Sequence, residues 1–186
     1  MSNIVRALLQ ESISIKSAML SNEPLLGQIE HAAQMLRDVT ARGGTIYACG
    51  NGGSACDAMH LTEELVARYK RERPGIRAMH FMDPGTITCW SNDVDYHAVF
   101  ERYAQTFCSE RDALIAISTS GNSKSVLRAA EVAHSKGCAV IGLLGNGGGL
   151  IGPKCDLPII VPAKTAERVQ EAHITIIHIW CELLEC

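Results

Sequence analysis

The sequence has little net charge, no long apolar run and no basic stripe. Its 17 Lys and Arg residues are scattered among 20 Asp and Glu residues, which gives a formal net charge of −3. Surfaces that bind nucleic acid or anionic membranes concentrate positive charge, so neither kind of partner is expected. A membrane span requires ~20 consecutive apolar residues, and no segment approaches that length. The first residues also lack a basic region followed by an apolar run and a cleavage site, which favours a cytoplasmic protein.

Paired cysteine spacings are missing as well. The chain has 8 Cys, but no C-x-x-C motif occurs, which argues against a structural zinc-thiolate site. Several cysteines sit among apolar residues without paired spacing, so we expect reduced, buried thiols rather than disulfides. These are Cys49, Cys89, Cys108, Cys138 and Cys181. The densest basic run, from Arg68 to Arg73, is predicted to lie on a solvated helix end.

Short apolar segments alternate with helical patterns along most of the chain. The predicted strands are Thr45 to Cys49, Arg77 to Phe81, Ala113 to Ile117, Ala139 to Leu144 and Leu157 to Val161. The helical patterns between them include Thr86 to Trp90 and Tyr96 to Phe107. This alternation predicts an α/β three-layer sandwich with a five-stranded parallel sheet covered on both faces. We expect one domain, 1–186, with N-terminal helices in 1–43 and the α/β core in 44–186.

A glycine loop follows the first predicted strand and leads directly into a helix. In Gly50-Asn51-Gly52-Gly53-Ser54, the glycines allow backbone amides and a serine hydroxyl to close around an anion at the helix N-terminus. The spacing Gly50-x-Gly52-x-x-Ala55 also matches a dinucleotide-binding pattern, with Asp83 as a ribose-binding acid at the end of the next strand. The loop alone therefore predicts an anion site without fixing the ligand.

A second loop, after the third predicted strand, is rich in hydroxyl groups. Ser118, Thr119, Ser120 and Ser123 surround Gly121-Asn122 just before another helix. Hydroxyls and helix-end amides suit a phosphate monoester, because a dianion accepts many hydrogen bonds at once. The alternative is that these side chains only cap the helix and form turns. The presence of two such loops favours phosphate binding, at the carboxyl ends of the strands.

Four polar residues at helical spacing suggest a second kind of chemistry. His60 and Glu64 lie at i and i+4 and point the same way, about two turns after the first loop. Gln170 and His178 lie two turns apart on the last predicted helix, displaced by about 80° around its axis. They share a site only if the long Gln side chain reaches across. Taken alone, the pairs also fit a surface ion pair and a core histidine. The competitors for any site role are Glu63, Glu171 and His173.

Several motifs occur in order from the first loop to the last helix. They are Cys49-Gly50-Asn51-Gly52-Gly53-Ser54, Asp57-Ala58-Met59-His60-x-x-Glu63-Glu64-Leu65, Arg68-Tyr69, Arg73-Pro74-Gly75, Asn92-Asp93, Ile117-Ser118-Thr119-Ser120-Gly121-Asn122-Ser123 and Arg168-Val169-Gln170-Glu171-x-His173, with His178 beyond. Together they resemble the sugar isomerase (SIS) domain family, and within it the phosphoheptose isomerases. The resemblance covers the whole chain without a large insertion. Ala55, Glu167 and the segment from Phe81 to Thr88 depart from the family pattern.

The resemblance implies conversion of D-sedoheptulose 7-phosphate to D-glycero-D-manno-heptose 7-phosphate by proton transfer through an enediol. It also implies one zinc ion per active site and a homotetramer with active sites between subunits. Glu64 would be the base, and His178 the acid and base at the oxygens. The implied zinc ligands are His60, Glu64, Gln170 and His178. The implied substrate-binding residues are Asn51, Gly52, Gly53, Ser54, Arg68, Asn92, Asp93, Ser118, Thr119, Ser120, Ser123 and Gln170.

A second hypothesis of a different class accompanies the enzyme. Some SIS modules are non-catalytic and bind a phosphosugar or scaffold a protein partner such as a replication initiator. Relatives of that kind lack the acidic and histidine metal positions. All four positions are present in this chain, which favours the enzyme.

Overall fold

Seven helices and five strands make up most of the described chain. The computed structural model describes residues 2–186, and Met1, the first residue of the predicted helical segment, lies outside them. The helices are α1 (Ser2–Leu20), α2 (Glu23–Ala41), α3 (Gly53–Val66), α4 (Pro84–Asp93), α5 (Val99–Phe107), α6 (Lys124–Ser135) and α7 (Ala166–Leu184). The strands are β1 (Ile46–Cys49), β2 (Ala78–His80), β3 (Ala113–Ser118), β4 (Ala139–Leu144) and β5 (Leu157–Ile160).

The strands form one parallel sheet in the order β2-β1-β3-β4-β5. In the centre, β1 pairs with β3 from Ile46 opposite Ala113 to Cys49 opposite Ala116. The chain leaves β1 towards β2 on one side and returns to β3 on the other, so the order reverses between β1 and β3. In doubly wound sheets, ligands bind in the crevice beyond the carboxyl ends of the strands at this reversal. The two polar loops follow β1 and β3.

Two apolar cores cover the two faces of the sheet, which confirms the three-layer α/β sandwich. One core contains side chains of α2, α3 and α7, including the fully buried Trp180. The other contains side chains of α5 and α6, including Phe100 and Val126. Every residue of β3 is buried. A strand buried on both faces has no room for polar residues until its carboxyl end, where Ser118 begins the second loop.

The helix boundaries follow local chemistry. At the start of α2, the Asn22 side-chain oxygen accepts a hydrogen bond from the N–H of Leu25, and Pro24 lies in the first turn, where its missing N–H has no cost. After α2 the chain turns through Gly43 at a φ of 75°, which glycine adopts without strain. In residues 2–186, no helix combines the length and apolar character needed to cross a bilayer.

Three local predictions need correction. The segment predicted as one helix from Tyr96 to Phe107 has a 3-10 turn at Tyr96–Ala98 before α5. The basic run from Arg68 to Arg73 does not lie on a helix, because α3 ends at Val66. Cys89 is exposed, since the peripheral helix α4 has no buried residue. The other cysteines predicted to be buried are buried, with free thiols.

Candidate functional site

The two polar loops are joined by a hydrogen-bond network centred on Asn51. Its side-chain amide donates to Ser123 Oγ at 2.7 Å and to Ser125 Oγ at 2.9 Å. Its side-chain oxygen accepts a hydrogen bond from the Tyr96 hydroxyl at 2.6 Å. Asn51 therefore fixes the loop after β1 against the loop after β3. The first loop then enters α3 at Gly53, so the N-terminus of that helix opens at the joined loops.

The hydroxyl loop is shaped by close contact with the glycine loop that follows β4. Gly121 has a φ of 67°, and a Cβ placed there would lie 2.4 Å from the backbone carbonyl atoms of Gly148. The Gly121 carbonyl accepts a hydrogen bond from the N–H of Ile151 at 3.0 Å. Only glycine allows two backbone segments to approach so closely at this conformation. Ser120 is exposed just before this contact, whereas Ser118 is buried.

A second polar cluster lies further along α3, facing α7. His60 Nε2 is 3.3 Å from Glu64 Oε1 and 3.3 Å from His178 Nε2. One donor atom from each of the three side chains lies within 4.8 Å of the others. The His60 side chain is 41% exposed and that of Glu64 is 16% exposed, so the cluster is open on one side. The His60–Glu64–His178 cluster combines nitrogen and carboxylate donors, and its His60 lines an open groove between α3 and α7.

The donor set fits a catalytic zinc ion. Zinc sites in enzymes use three nitrogen or oxygen ligands and keep one position open. With metal–ligand distances of about 2.0–2.1 Å, two donors of a tetrahedral site are separated by roughly 3.3 Å. Both measured separations from His60 Nε2 are 3.3 Å. Three donor atoms of suitable type therefore lie together, two of them at this separation from His60 Nε2 and all three within 4.8 Å of one another.

Gln170 is held close to α3 but nearer its N-terminus. A Cβ on Gly53 would lie 2.3 Å from Gln170 Nε2, so the absence of a side chain at Gly53 admits the amide. Gln170 and His60 line the same open groove between α3 and α7. His178 is not among the residues that line this groove, and it contacts His60 instead. Gln170 stands between the joined loops and the His60–Glu64–His178 cluster.

The other residues implied as substrate contacts lie apart from this groove. Arg68 pairs with Glu72 on the surface, with Nη1 and Oε2 at 2.9 Å. Asn92 donates its side-chain amide to Asp93 Oδ1 at 2.8 Å at the exposed end of α4. Within residues 2–186, no hydrogen bond joins Arg68, Asn92 or Asp93 to either loop. Their assignment to the substrate remains a prediction.

The structure adds residues to the site that the sequence pattern missed. Tyr96 and Ser125 bond to Asn51, and the Tyr69 ring stacks on His178 at 5.7 Å between centroids. Asp57 lines the groove, and burial raises its pKa to about 6, while nearby His60 acts in the opposite direction. Ser125 follows the hydroxyl loop directly, so its position in the sequence was a local signal that it could join the site. Tyr96 is brought in by long-range packing and has no such signal, whereas Tyr69 belongs to the Arg68-Tyr69 motif but had no role assigned to it.

The remaining candidates have structural contacts. Asp83 caps α4, where its Oδ2 accepts from the N–H and the hydroxyl of Thr86, both at 2.7 Å. A dinucleotide-binding site would need the Asp83 carboxylate to bind a ribose. Because this carboxylate caps α4 instead, the dinucleotide-binding hypothesis is weakened. Glu171 accepts a hydrogen bond from Ser12 at 2.6 Å and pairs with Arg168, which ties α7 to α1. Glu63 is exposed on α3.

The His173 side chain on α7 is completely buried, so we expect it to contribute to the pH dependence of stability. Burial lowers its pKa from 6.5 to about 4. The unfolded chain takes up a proton below pH 6.5 that the folded chain accepts only near pH 4. Between pH 8 and pH 5, this difference should lower the free energy of unfolding by about 2 kcal/mol.

The measurement is denaturant unfolding of the wild type and of His173→Leu at pH 8 and pH 5. The raised pKa of Asp57 acts with the opposite sign, because the folded state gains its proton first as the pH falls through about 6. That contribution is common to both proteins. The variant should therefore lose less stability on acidification than the wild type, and an equal loss would contradict the assignment.

Comparisons with known proteins agree with this architecture. A family model described as the SIS domain matches residues 10–145. A phosphoheptose isomerase of Aeromonas hydrophila is 45% identical over 183 residues, which cover 98% of this chain and 95% of that protein. A phosphoheptose isomerase of Vibrio cholerae is 42% identical over 184 residues, which cover 98% and 96%. A structure of phosphoheptose isomerase from Neisseria gonorrhoeae has a TM-score of 0.92 at 32% identity and covers 99% of this chain and 98% of that one.

The chain therefore belongs to the SIS domain family, whose model spans most of its length. Within that family it belongs to the phosphoheptose isomerases, because the similarity extends over nearly the full length of both chains. The predicted family and the predicted five-stranded fold are confirmed.

Proposed function

We propose that the protein converts D-sedoheptulose 7-phosphate to D-glycero-D-manno-heptose 7-phosphate. The observation that carries the proposal is the position of His60 and Glu64 on α3, the helix that begins at the joined polar loops, with His178 of α7 beside them. From Ser54 to His60, that helix advances about 9 Å along its axis. An extended seven-carbon sugar with its phosphate in the loops has its carbonyl end at about this distance.

The joined loops are the proposed phosphate site. Hydroxyls of Ser54, Ser118, Thr119, Ser120 and Ser123, together with the amides of Gly52 and Gly53, supply donors for a dianion. Backbone amides at a helix N-terminus carry partial positive charge, and the α3 N-terminus points at these loops. With the phosphate bound in the joined loops, the length of the substrate places its carbons C1 and C2 near the His60–Glu64–His178 cluster. Asn51, Arg68, Asn92, Asp93 and Gln170 remain proposed contacts of the sugar hydroxyls.

The reaction requires one proton to leave C1 and one to return to C2. We assign Glu64 as the base that removes the C1 proton and delivers it to C2, because it is the carboxylate of the cluster, and one of its two oxygens can take the proton while the other holds the metal. His178 moves protons between the two substrate oxygens, which forms the enediol and then the aldehyde. The stacked ring of Tyr69 holds the His178 imidazole in one orientation. General acid–base groups typically contribute about 10² to 10⁴-fold each.

A zinc ion is the proposed cofactor. His60, Glu64 and His178 would hold it, Gln170 would be a fourth ligand, and zinc that expands to five ligands would still accept the substrate oxygen. When bound, zinc polarises the substrate carbonyl and stabilises the negative charge that develops on its oxygen. The fit of the three donor atoms supports the ion, and the side-chain oxygen of Gln170 lies along the same groove. The reaction belongs to the biosynthesis of an activated sugar, and a cytoplasmic location is part of the proposal.

The proposal is tested by incubating the purified protein with sedoheptulose 7-phosphate, with and without a zinc chelator. We expect the aldoheptose phosphate to form and the rate to fall by at least tenfold on chelation, with recovery when zinc is added. Conversion that is insensitive to chelation would remove zinc from the proposal. Absence of conversion in the presence of zinc would instead favour the non-catalytic phosphosugar module.

We also propose a homotetramer with active sites between subunits. One face of α1 exposes Ile4, Val5, Leu8, Leu9 and Ile13. Contiguous apolar surface of this kind marks an interaction site. Helix α1 is anchored to α7 at Ser12 and Glu11, so a partner packed on α1 lies near the groove. Arg68, Asn92 and Asp93 face solvent in one subunit and are available to a neighbour's site.

The assembly is checked by sedimentation equilibrium of the wild type and of the double variant Leu9→Glu and Ile13→Glu. We expect a tetramer for the wild type and a smaller species for the variant, because charges on a buried apolar face are costly. The matched control is Lys16→Glu, which changes the net charge by the same amount outside the exposed apolar stretch from Ile4 to Ile13. Equal masses for all three proteins would contradict the role of α1.

A further inference from the structure

We infer that Glu185 and Arg73 position the His60–Glu64–His178 cluster by joining the C-terminal ends of the two helices that carry it. The inference rests on the proposed function, since it assigns these residues a role in metal binding. His60 and Glu64 belong to α3, and His178 belongs to α7. The donor separations of the cluster therefore depend on how these two helices are held together.

Glu185 is the C-cap of α7 and binds the loop that follows α3. Its carboxylate accepts hydrogen bonds from three consecutive backbone N–H groups, those of Tyr69, Lys70 and Arg71, each at 3.0 Å. The side chain is only 3% exposed. A carboxylate enclosed by successive amides is held in one position, because each donor restricts it from a different direction.

Arg73 extends this contact to α3. Its Nε donates to Glu185 Oε1 at 3.2 Å. Its two terminal nitrogens donate to the backbone carbonyls of Leu65 and Glu64, both at 2.8 Å. These carbonyls belong to the last turn of α3, which has no intrahelical donors. The planar guanidinium thus connects the α7 carboxylate with the turn that contains Glu64, in a geometry that Lys does not reproduce.

The same loop places an aromatic ring on a cluster member. Tyr69, whose backbone N–H binds Glu185, stacks on the His178 imidazole. Release of the Glu185 carboxylate would free the loop, the stacked ring and the end of α3 together. Glu185 and Arg73 do not touch the substrate, so they are positioning residues. The joined polar loops lie at the opposite end of α3 and should be unaffected.

The test is calorimetric titration of the zinc-free protein with zinc for the wild type, Glu185→Gln and Arg73→Lys. Partners that orient metal ligands typically contribute 10- to 100-fold to metal affinity, and we expect a loss of roughly tenfold in each variant. The matched control is Glu182→Gln, which removes an exposed pairing of Glu182 with Lys70 between the same helix and the same loop. Its zinc affinity should equal that of the wild type.

Kinetic measurements and the double variant distinguish a specific effect on the His60–Glu64–His178 cluster from a general loss of rigidity. We expect Glu185→Gln to lower kcat by about the same factor while the KM for sedoheptulose 7-phosphate changes less than twofold. The effects of Glu185→Gln and Arg73→Lys should be less than additive, because each breaks the same connection. Unchanged zinc affinity in both variants of an active enzyme would overturn the inference and leave the proposed function intact. A wild type that neither binds zinc nor converts substrate would overturn both.

Discussion

Replacing Glu64 by Gln should reduce turnover by about 10² to 10⁴-fold, because the amide cannot accept the C1 proton. The Gln side chain has nearly the same shape and keeps one oxygen for a metal ion. We therefore expect the protein to remain folded and to bind sedoheptulose 7-phosphate within severalfold of the wild type. The measurements are kcat and the dissociation constant of the substrate, with zinc content determined on the same samples.

Proton exchange separates the loss of the base from the loss of the metal. In deuterated water, the wild type should introduce deuterium into the substrate at the carbons of the enediol, and Glu64→Gln should not. The matched control is Glu63→Gln, one residue earlier on the same helix and exposed to solvent. It should retain wild-type turnover. Substantial turnover and exchange in Glu64→Gln would remove Glu64 as the base and leave His178 as the remaining candidate.

The sequence was sufficient to predict the sheet and the two loops because both depend on local patterns. Strand β3 is apolar from Ala113 to Ile117 and ends at Ser118, the first residue of the hydroxyl loop, and Gly50 to Ser54 lies between a strand and a helix. The pairing of His60 with Glu64 follows from helical spacing. Each of these signals extends over fewer than ten residues of chain, so no knowledge of tertiary contacts is required.

The rest of the site depends on which distant segments meet, and sequence periodicity has no information on that. Tyr96 reaches Asn51 from the 3-10 turn that interrupts a predicted helix. The basic run from Arg68 to Arg73 was predicted as a helix end, because the pattern does not reveal that Glu185 binds its backbone. Site residues contributed by a neighbouring subunit are harder still to predict, since their contacts form only in the assembled oligomer.

Gly121→Ala should have the largest effect on stability, because two separate costs apply at that position. At a φ of 67°, Ala is in the left-handed region, which costs about 1–2 kcal/mol. Its Cβ would also lie 2.4 Å from the Gly148 carbonyl carbon and oxygen. Separating two backbone segments adds roughly 1–3 kcal/mol. The sum corresponds to a fall in the unfolding midpoint of about 5 to 15 °C for a chain of this length.

The matched control is Gly147→Ala, in the glycine loop that Gly121 touches. Gly147 has a φ of 74°, but a Cβ there meets nothing within 4 Å, so only the conformational cost applies. The difference in midpoint between the two variants measures the steric contact alone. Because that contact shapes the loop with Ser118, Thr119, Ser120 and Ser123, Gly121→Ala should also raise the KM for the phosphosugar, whereas Gly147→Ala should not. Equal midpoints and equal KM values would show that the hydroxyl loop does not depend on its packing against the loop after β4.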